Sequence, residues 1–189
     1  VDAASAEDNT VELDTEADVI MLRFTGGTTG KGKCAMYCVD NTMATRDSGF
    51  INGDFAFTAA TRLLHVSPIS HGTMMSFYPT FFAGGANITM NQLDMEGWRE
   101  TVERERVTHS FLVPTVLSRL LDLQKANPRD FSSLTTLMYG AAPMSPTKLG
   151  ELVDCFGQIF VQGYAATEAA MFVAVLDKAD HCADSEAQA

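Results

Sequence analysis

The chain has 189 residues, 46% hydrophobic and 20% charged, with a formal net charge of −11. That length and balance fit one globular domain with a substantial core. The acidic charge argues against a nucleic-acid partner, since neutralising a phosphate backbone takes basic patches, and no apolar run approaches the ~18 residues of a transmembrane segment.

Seven of the 24 acidic residues (Asp2, Glu7, Asp8, Glu12, Asp14, Glu16 and Asp18) precede the first basic residue. Residues 1–17 therefore read as an acidic leader or linker, without the pattern of a signal peptide. Residues 18–24 predict a strand that feeds Thr25, Gly26, Gly27, Thr28, Thr29, Gly30, Lys31, Gly32 and Lys33. Three hydroxyls, four glycines and two lysines suit a loop that wraps an anion better than a packed core. Glycine lets backbone N–H groups approach an oxyanion, and the ammonium groups add charge. Residues 34–39 predict a second strand, with Cys34 and Cys38 on one side as small buried hydrophobes. Asp40 or Asn41 is expected to cap a helix reaching Ile51, which Asn52 and Gly53 stop.

Residues 62–66 read as a strand broken by Ser67 and Pro68. Residues 71–82 are apolar nearly all round and predict a buried helix kinked at Pro79. Residues 86–90 form a β-rich run, after which Asp94 caps a helix to about Arg106 with Trp98 and Val102 on one face. A strand at 108–113 leads to Pro114, which opens an amphipathic helix through Leu117, Leu120 and Leu121, ended by Asn127 and Pro128. A strand at 134–139, a helix from Ser145 and Pro146 to about Phe156, a strand at 158–162 and one at 171–176 complete the chain. This alternation predicts an α/β fold with a mainly parallel sheet flanked by helices. In such sheets ligands collect at the carboxyl ends of strands, and the polar, glycine-rich segments all fall there.

Four cysteines stand at 34, 38, 155 and 182. Cys34 and Cys38 lack zinc-knuckle spacing and a second pair, so metal binding through them is not expected. A reducing cytoplasm is the default location.

Two families are suggested by the glycine loop. Gly27, Gly32 and Lys33 fit the Walker pattern GxxxxGK, but Cys34 stands where a hydroxyl must hold magnesium, and no later strand ends in an aspartate. The fuller match is to the adenylate-forming enzymes, whose loop reads T-S/G-G-T-T-G-x-P-K-G. Residues 25–33 resemble it, with Gly32 in place of proline and Cys34 in place of glycine. Four further segments match in order: Pro68 to Gly72 with His71, Val113-Pro114-Thr115, Tyr139 to Ser145, and Gln162 to Glu168. The resemblance covers roughly residues 18–180 and is closest to acyl-CoA synthetases.

The resemblance implies a piece of a large N-terminal domain, residues 18–189, with the preceding segment and the C-terminal domain absent. It implies ATP, magnesium and coenzyme A, and a carboxylic acid, fatty or aryl, converted to an acyl-adenylate and then a thioester. Thr25, Thr28, Thr29 and Lys33, on a backbone of Gly26, Gly27 and Gly30, would hold the β- and γ-phosphates. Thr167 would serve the α-phosphate and Glu168 the metal, and these two with Lys33 are the expected catalytic residues. Gly140, Ala141, Ala142 and Pro143 match the adenine-contacting G-G-A-P or G-G-E-P, and Gly163 and Tyr164 would close that pocket. Ala165 replaces a glycine of the usual G-Y-G-x-T-E. His71 would line the carboxylate end of the acyl pocket, while Met74, Met75, Phe77 and Tyr78 suit either an acyl channel or core. His65, His109 and His181 have no implied role. Relatives carry a later ribose-binding aspartate and a C-terminal lysine that have no match here, so the chain alone is expected to be inactive. The alternatives are a P-loop NTPase and a non-catalytic nucleotide- or acyl-binding module of the same fold.

Overall fold

The computed structural model describes residues 12–25, 32–68, 72–169 and 172–181. Most of the acidic leader, residues 26–31 of the glycine loop, residues 69–71 with His71, and Cys182 lie outside the described residues.

Two sheets organise the chain. The first is an antiparallel hairpin of β1 (Val19–Thr25) and β2 (Lys33–Cys38), with Thr25 opposite Lys33 and Phe24 opposite Cys34. Its strands alternate as a half-covered pair should: Met21, Arg23 and Thr25 turn inward, whereas Ile20, Leu22 and Phe24 are exposed. The second sheet has six strands in the order β4-β3-β5-β6-β7-β8. They are β3 (Arg62–His65), β4 (Ala86–Thr89), β5 (His109–Leu112), β6 (Thr136–Gly140), β7 (Phe160–Ala165) and β8 (Phe172–Leu176). Every pairing from β4 to β7 is parallel, and β8 joins β7 antiparallel.

Both faces of this sheet are covered, so neighbouring residues of a strand enter different cores. Leu64, Leu137 and Phe160 pack with Trp98, Val102, Leu117, Leu120 and Leu121 on one side. Leu63, Met138 and Val161 pack with Phe55 and Phe57 on the other. Fully burying each of these side chains contributes about 1.5–3 kcal/mol relative to exposure. The first core is sealed by α3 (Met95–Glu105), α4 (Pro114–Ala126) and α5 (Pro146–Phe156). Asp94 caps α3 as expected, accepting from the Gly97 N–H at 2.9 Å. Pro114 and Pro146 open their helices, where a missing N–H costs nothing. Arg99 is an unexpected core member: its guanidinium is fully buried, bonded to Glu96 at 2.6 Å and to the Asn127 carbonyl that ends α4.

Three expectations are corrected. Helix α1 (Val39–Ile51) begins two residues earlier than a cap at Asp40 requires and three earlier than a cap at Asn41, because β2 runs directly into it. Cys38 is the capping residue, and the Asn41 side chain accepts from its N–H at 3.0 Å. Cys34 is exposed and Cys38 only half-buried, since their face of β2 points away from the molecule and Tyr37 occupies the covered face. Helix α2 (Met74–Phe82) starts later than residue 71 and is covered on one side alone. Met75, Ser76, Pro79 and Thr80 are buried while Phe81 is 62% exposed. Pro79 seats on Gly49 of α1, where any Cβ would fall 2.5 Å from the proline ring.

The buried histidines make stability pH-dependent. His109 donates from Nε2 to the Phe55 carbonyl at 2.7 Å and accepts at Nδ1 from Thr108 at 2.7 Å. Burial pushes its pKa down to about 4. His65 and His181 are lowered for the same reason. A depressed folded-state pKa gives stability that is complete above the unfolded value of 6.5 and lost as pH falls toward 4. For His109 this amounts to about 3 kcal/mol. The urea midpoint is expected to fall between pH 6.5 and 4.5, and His109→Gln to flatten that slope; parallel slopes would contradict it.

Candidate functional site

Strand ends converge on one cleft of about 200 Å³. Ser67 and Gly72 reach it from the segment after β3, Val113 from the end of β5, and Ala141 from the end of β6. Gly163, Ala165, Ala166 and Thr167 line it along the end of β7 and the 3-10 turn Thr167–Ala169. Met75, Phe111 and Phe172 supply apolar walls, and Arg23 enters from the hairpin. Each local turn has a cause. Pro68 stops β3, and the hydroxyls of Ser67 and Thr73 then bond to each other and close the chain into α2.

Two glycines set the spacing at the floor. A Cβ on Gly140 would lie 2.3 Å from the Gly163 carbonyl oxygen, and one on Gly163 would lie 2.1 Å from the Phe172 ring. Both positions need glycine for close approach. Ala141 has φ +66°, in the left-handed region where an alanine costs on the order of 1–2 kcal/mol. Ala165, by contrast, is ordinary strand backbone, so its replacement of glycine imposes no strain.

The hairpin is tied to this floor. The Tyr37 hydroxyl donates to the Thr167 carbonyl, joining β2 to the turn that carries Thr167 and Glu168. Thr25 and Lys33 face each other at the loop end of the hairpin, and the Thr25 hydroxyl donates to the Lys33 carbonyl at 3.4 Å. The glycine loop thus links two antiparallel strands, and Cys34 sits in β2. A Walker loop leads from a strand into a helix, so this geometry disfavours the P-loop alternative.

Of the expected site residues, Ala141, Gly163 and Thr167 share the cleft. Gly140 lies beneath it as the buried end of β6. Glu168 is exposed beside Ala35 and Asn41, under the hairpin, and among the described residues its carboxylate has no hydrogen bond or ion pair. Ala142 is exposed, and Pro143 lines a separate depression with Pro114 and Thr115. Tyr164 is 67% exposed and lines none of these surfaces. Gly26, Gly27, Thr28, Thr29, Gly30 and His71 lie outside the described residues. Sequence reasoning missed Arg23, Ser67, Phe111 and Phe172. For Arg23 the signal was available: it lies two residues from Thr25 on a strand and so shares its face.

No cluster of three or more His, Cys, Asp or Glu side chains suited to a metal ion occurs among the described residues. Magnesium held with a nucleotide needs only one or two carboxylates, because phosphate oxygens and water complete its shell. Glu168 offers one exposed carboxylate, beside Ala35 and Asn41 rather than in the cleft lining. Among the described residues no helix is long and apolar enough to cross a membrane.

The glycine spacing is testable. Gly140→Ala drives a methyl group into the Gly163 backbone and is expected to cost about 1–3 kcal/mol. Gly150→Ala, in α5 with nothing within 4 Å, should instead stabilise by up to about 1 kcal/mol. Urea unfolding of the two variants checks this, and equal effects would contradict the close approach.

Comparison with known proteins agrees with the geometry. A model of the AMP-binding enzyme family matches residues 2–188. The chain is 38% identical over 163 residues to the medium/long-chain-fatty-acid–CoA ligase FadD8 of Mycobacterium tuberculosis, covering 86% of this chain and 28% of that one. It is 36% identical over 183 residues to a feruloyl-CoA synthase of Amycolatopsis sp., covering 95% and 36%. The chain thus spans about a third of the length of these curated relatives. The inhibitor-bound N-terminal domain of FACL13 from M. tuberculosis superposes with a TM-score of 0.82 at 24% identity, covering 94% of this chain and 44% of that one. That last likeness concerns the fold alone: the same mainly parallel α/β sheet flanked by helices. With a family match running over nearly its whole length, the chain belongs to the AMP-binding enzyme family.

Proposed function

We propose that the chain is the central part of the large N-terminal domain of a longer acid–thiol ligase. It activates a carboxylic acid with ATP and passes the acyl group to coenzyme A. In this reading residues 1–17 are an acidic linker and residues 18–189 belong to the AMP-binding domain. The observation that carries the reading is the cleft itself. Thr167 and the backbone of Ala141 and Gly163 border it, apolar side chains wall it, and the hairpin bearing Thr25 and Lys33 is bonded to its rim.

The chemistry explains the arrangement. A carboxylate oxygen attacks the α-phosphorus of ATP, the bond to the bridging oxygen breaks, and pyrophosphate leaves with the electron pair. An anion attacks a polyanion, so donors along the phosphates supply the main assistance. Thr25, Thr28, Thr29 and Lys33, with the backbone of Gly26, Gly27 and Gly30, hold the β- and γ-phosphates. The Thr167 hydroxyl donates to the α-phosphate. Glu168 would hold magnesium, which when bound would supply positive charge against the phosphate oxygens. The adenine would lie against Gly140, Ala141 and Ala142 beside Gly163, with Pro143 and Tyr164 at its outer margin, beyond the cleft lining. His71, the residue before Gly72 in sequence, is the residue assigned to the carboxylate end of the acyl pocket.

Met75, Phe111, Val113 and Phe172 give the cleft an apolar lining that suits a fatty or aryl acid. The names of the fatty-acid and feruloyl relatives support the same class. A cytoplasmic location accords with three free thiols, at Cys34, Cys38 and Cys155.

The test is acid-dependent exchange of labelled pyrophosphate into ATP by the longer enzyme, over fatty and aryl acids. Glu168→Gln should lower the exchange by tens to hundreds of fold, about 2–3 kcal/mol of transition-state stabilisation, with acid binding unchanged. A rate unaltered at limiting magnesium would remove Glu168 from the metal site. No exchange with any acid would favour a non-catalytic binding module.

A further inference from the structure

One cation in the cleft has no task in this scheme. Arg23 stands on the inward face of β1, between Met21 and Thr25, and lines the cleft with Ser67 and Thr167. Among the described residues its guanidinium makes no hydrogen bond and no ion pair. Its contact is the ring of Tyr37, 5.7 Å from Cζ to the ring centroid, within cation–π range. That ring is fixed in turn, because Tyr37 is buried and its hydroxyl is bonded to the Thr167 carbonyl. One tyrosine therefore supports the guanidinium and joins it to the turn carrying Thr167.

No acidic side chain is among the described residues lining the cleft. Glu168 lies on the other side of its turn, beside Ala35 and Asn41. A half-buried guanidinium against mainly apolar walls loses hydration that no described residue of the cleft replaces. An incoming oxyanion would replace it. The planar fork of an arginine offers two parallel N–H donors, a match to two oxygens of a carboxylate or a phosphate. Position decides which oxyanion is in reach. Arg23 is two residues behind Thr25, about 7 Å along the strand from the glycine loop. That sets it back from the pyrophosphate end and toward the point where the acid and the nucleotide meet.

We propose that Arg23 receives the reacting oxyanion in this cleft, the carboxylate of the acid or the α-phosphate it attacks, an inference that rests on the adenylation reading. Held over Tyr37, Arg23 brings two N–H donors to the side of the α-phosphorus opposite the leaving pyrophosphate. It thereby offsets the repulsion between the two anions as they close.

The test reads the side chain directly. The Nε–H resonance of Arg23, assigned by its loss in Arg23→Lys, is followed by NMR while AMP, octanoate and ferulate are added separately. The resonance is expected to shift with AMP, which identifies the α-phosphate, or with an acid, which identifies the carboxylate. No shift with any of the three overturns the inference. In the longer enzyme, Arg23→Met keeps the stem over Tyr37 and removes the donors. It should raise by about tenfold or more the KM of the substrate that carries the identified oxyanion, ATP for the α-phosphate or the acid for the carboxylate, with the melting temperature unchanged and partial recovery in Arg23→Lys. Unchanged KM values for both substrates, or a loss that follows a fall in melting temperature, would reduce Arg23 to a packing residue. Failure of the adenylation reading itself is a different result: no acid-dependent exchange by the unsubstituted enzyme.

Discussion

Parallel strands present all their carboxyl ends at one edge, and this constraint places everything else. A parallel pair needs a crossover that returns the chain to the starting edge. In this sheet α2 to α5 take that part, leaving the opposite edge to the loops that follow β3, β5, β6 and β7. The order β4-β3-β5-β6-β7-β8 adds a second consequence. The chain leaves β3 toward β4 on one side, then proceeds from β5 to β6 on the other. A crevice opens where the winding reverses, the usual ligand position in open α/β sheets. Ser67 and Gly72 border the cleft on the β3 side of that reversal, and Val113 on the β5 side.

The hairpin stands outside this logic and has to be joined to it. It shares no strand pairing with the six-stranded sheet. The Tyr37 hydroxyl on the Thr167 carbonyl makes the joint, with α1 continuing directly from β2 to pack on α2. The result is local charge opposite in sign to the whole. A chain with a net charge of −11 turns Arg23 into the cleft and carries Lys33 at the loop end of the same hairpin. Such focusing favours an anionic ligand despite the acidic surface elsewhere.

Much of this was legible in the sequence, and the reasons are particular. Asp94 before Trp98, Pro114 before a leucine stripe, and Ser145 before Pro146 are local signals that tertiary packing had no cause to override. The parallel sheet followed from short apolar runs alternating with helical periods. What failed depended on which face the fold covers. Cys34 and the aromatic end of α2 are apolar yet exposed, because periodicity states which residues share a face and not whether another element meets it. Arg99 shows the converse: a charged residue whose burial depends on Glu96 and on the carbonyl of Asn127, 28 positions away. Within the site, Thr167, Gly163 and Ala141 were legible as motif residues. Phe172 and Phe111 were not, since nothing local distinguishes a cleft wall from core. The need for glycine at 140 arises from contact with the Gly163 carbonyl across two strands, which only the folded sheet reveals.

The central claim is that one nucleotide site is assembled from the hairpin, the end of β6 and the turn after β7. A crystal structure with a non-hydrolysable acyl-adenylate analogue tests it most directly. The account predicts the adenine against Gly140 to Ala142, the phosphate-mimicking group between Arg23 and Thr167, and the acyl group among Met75, Phe111 and Phe172. An analogue bound at the amino ends of the strands, or in the depression lined by Pro143 and Pro114, would contradict it.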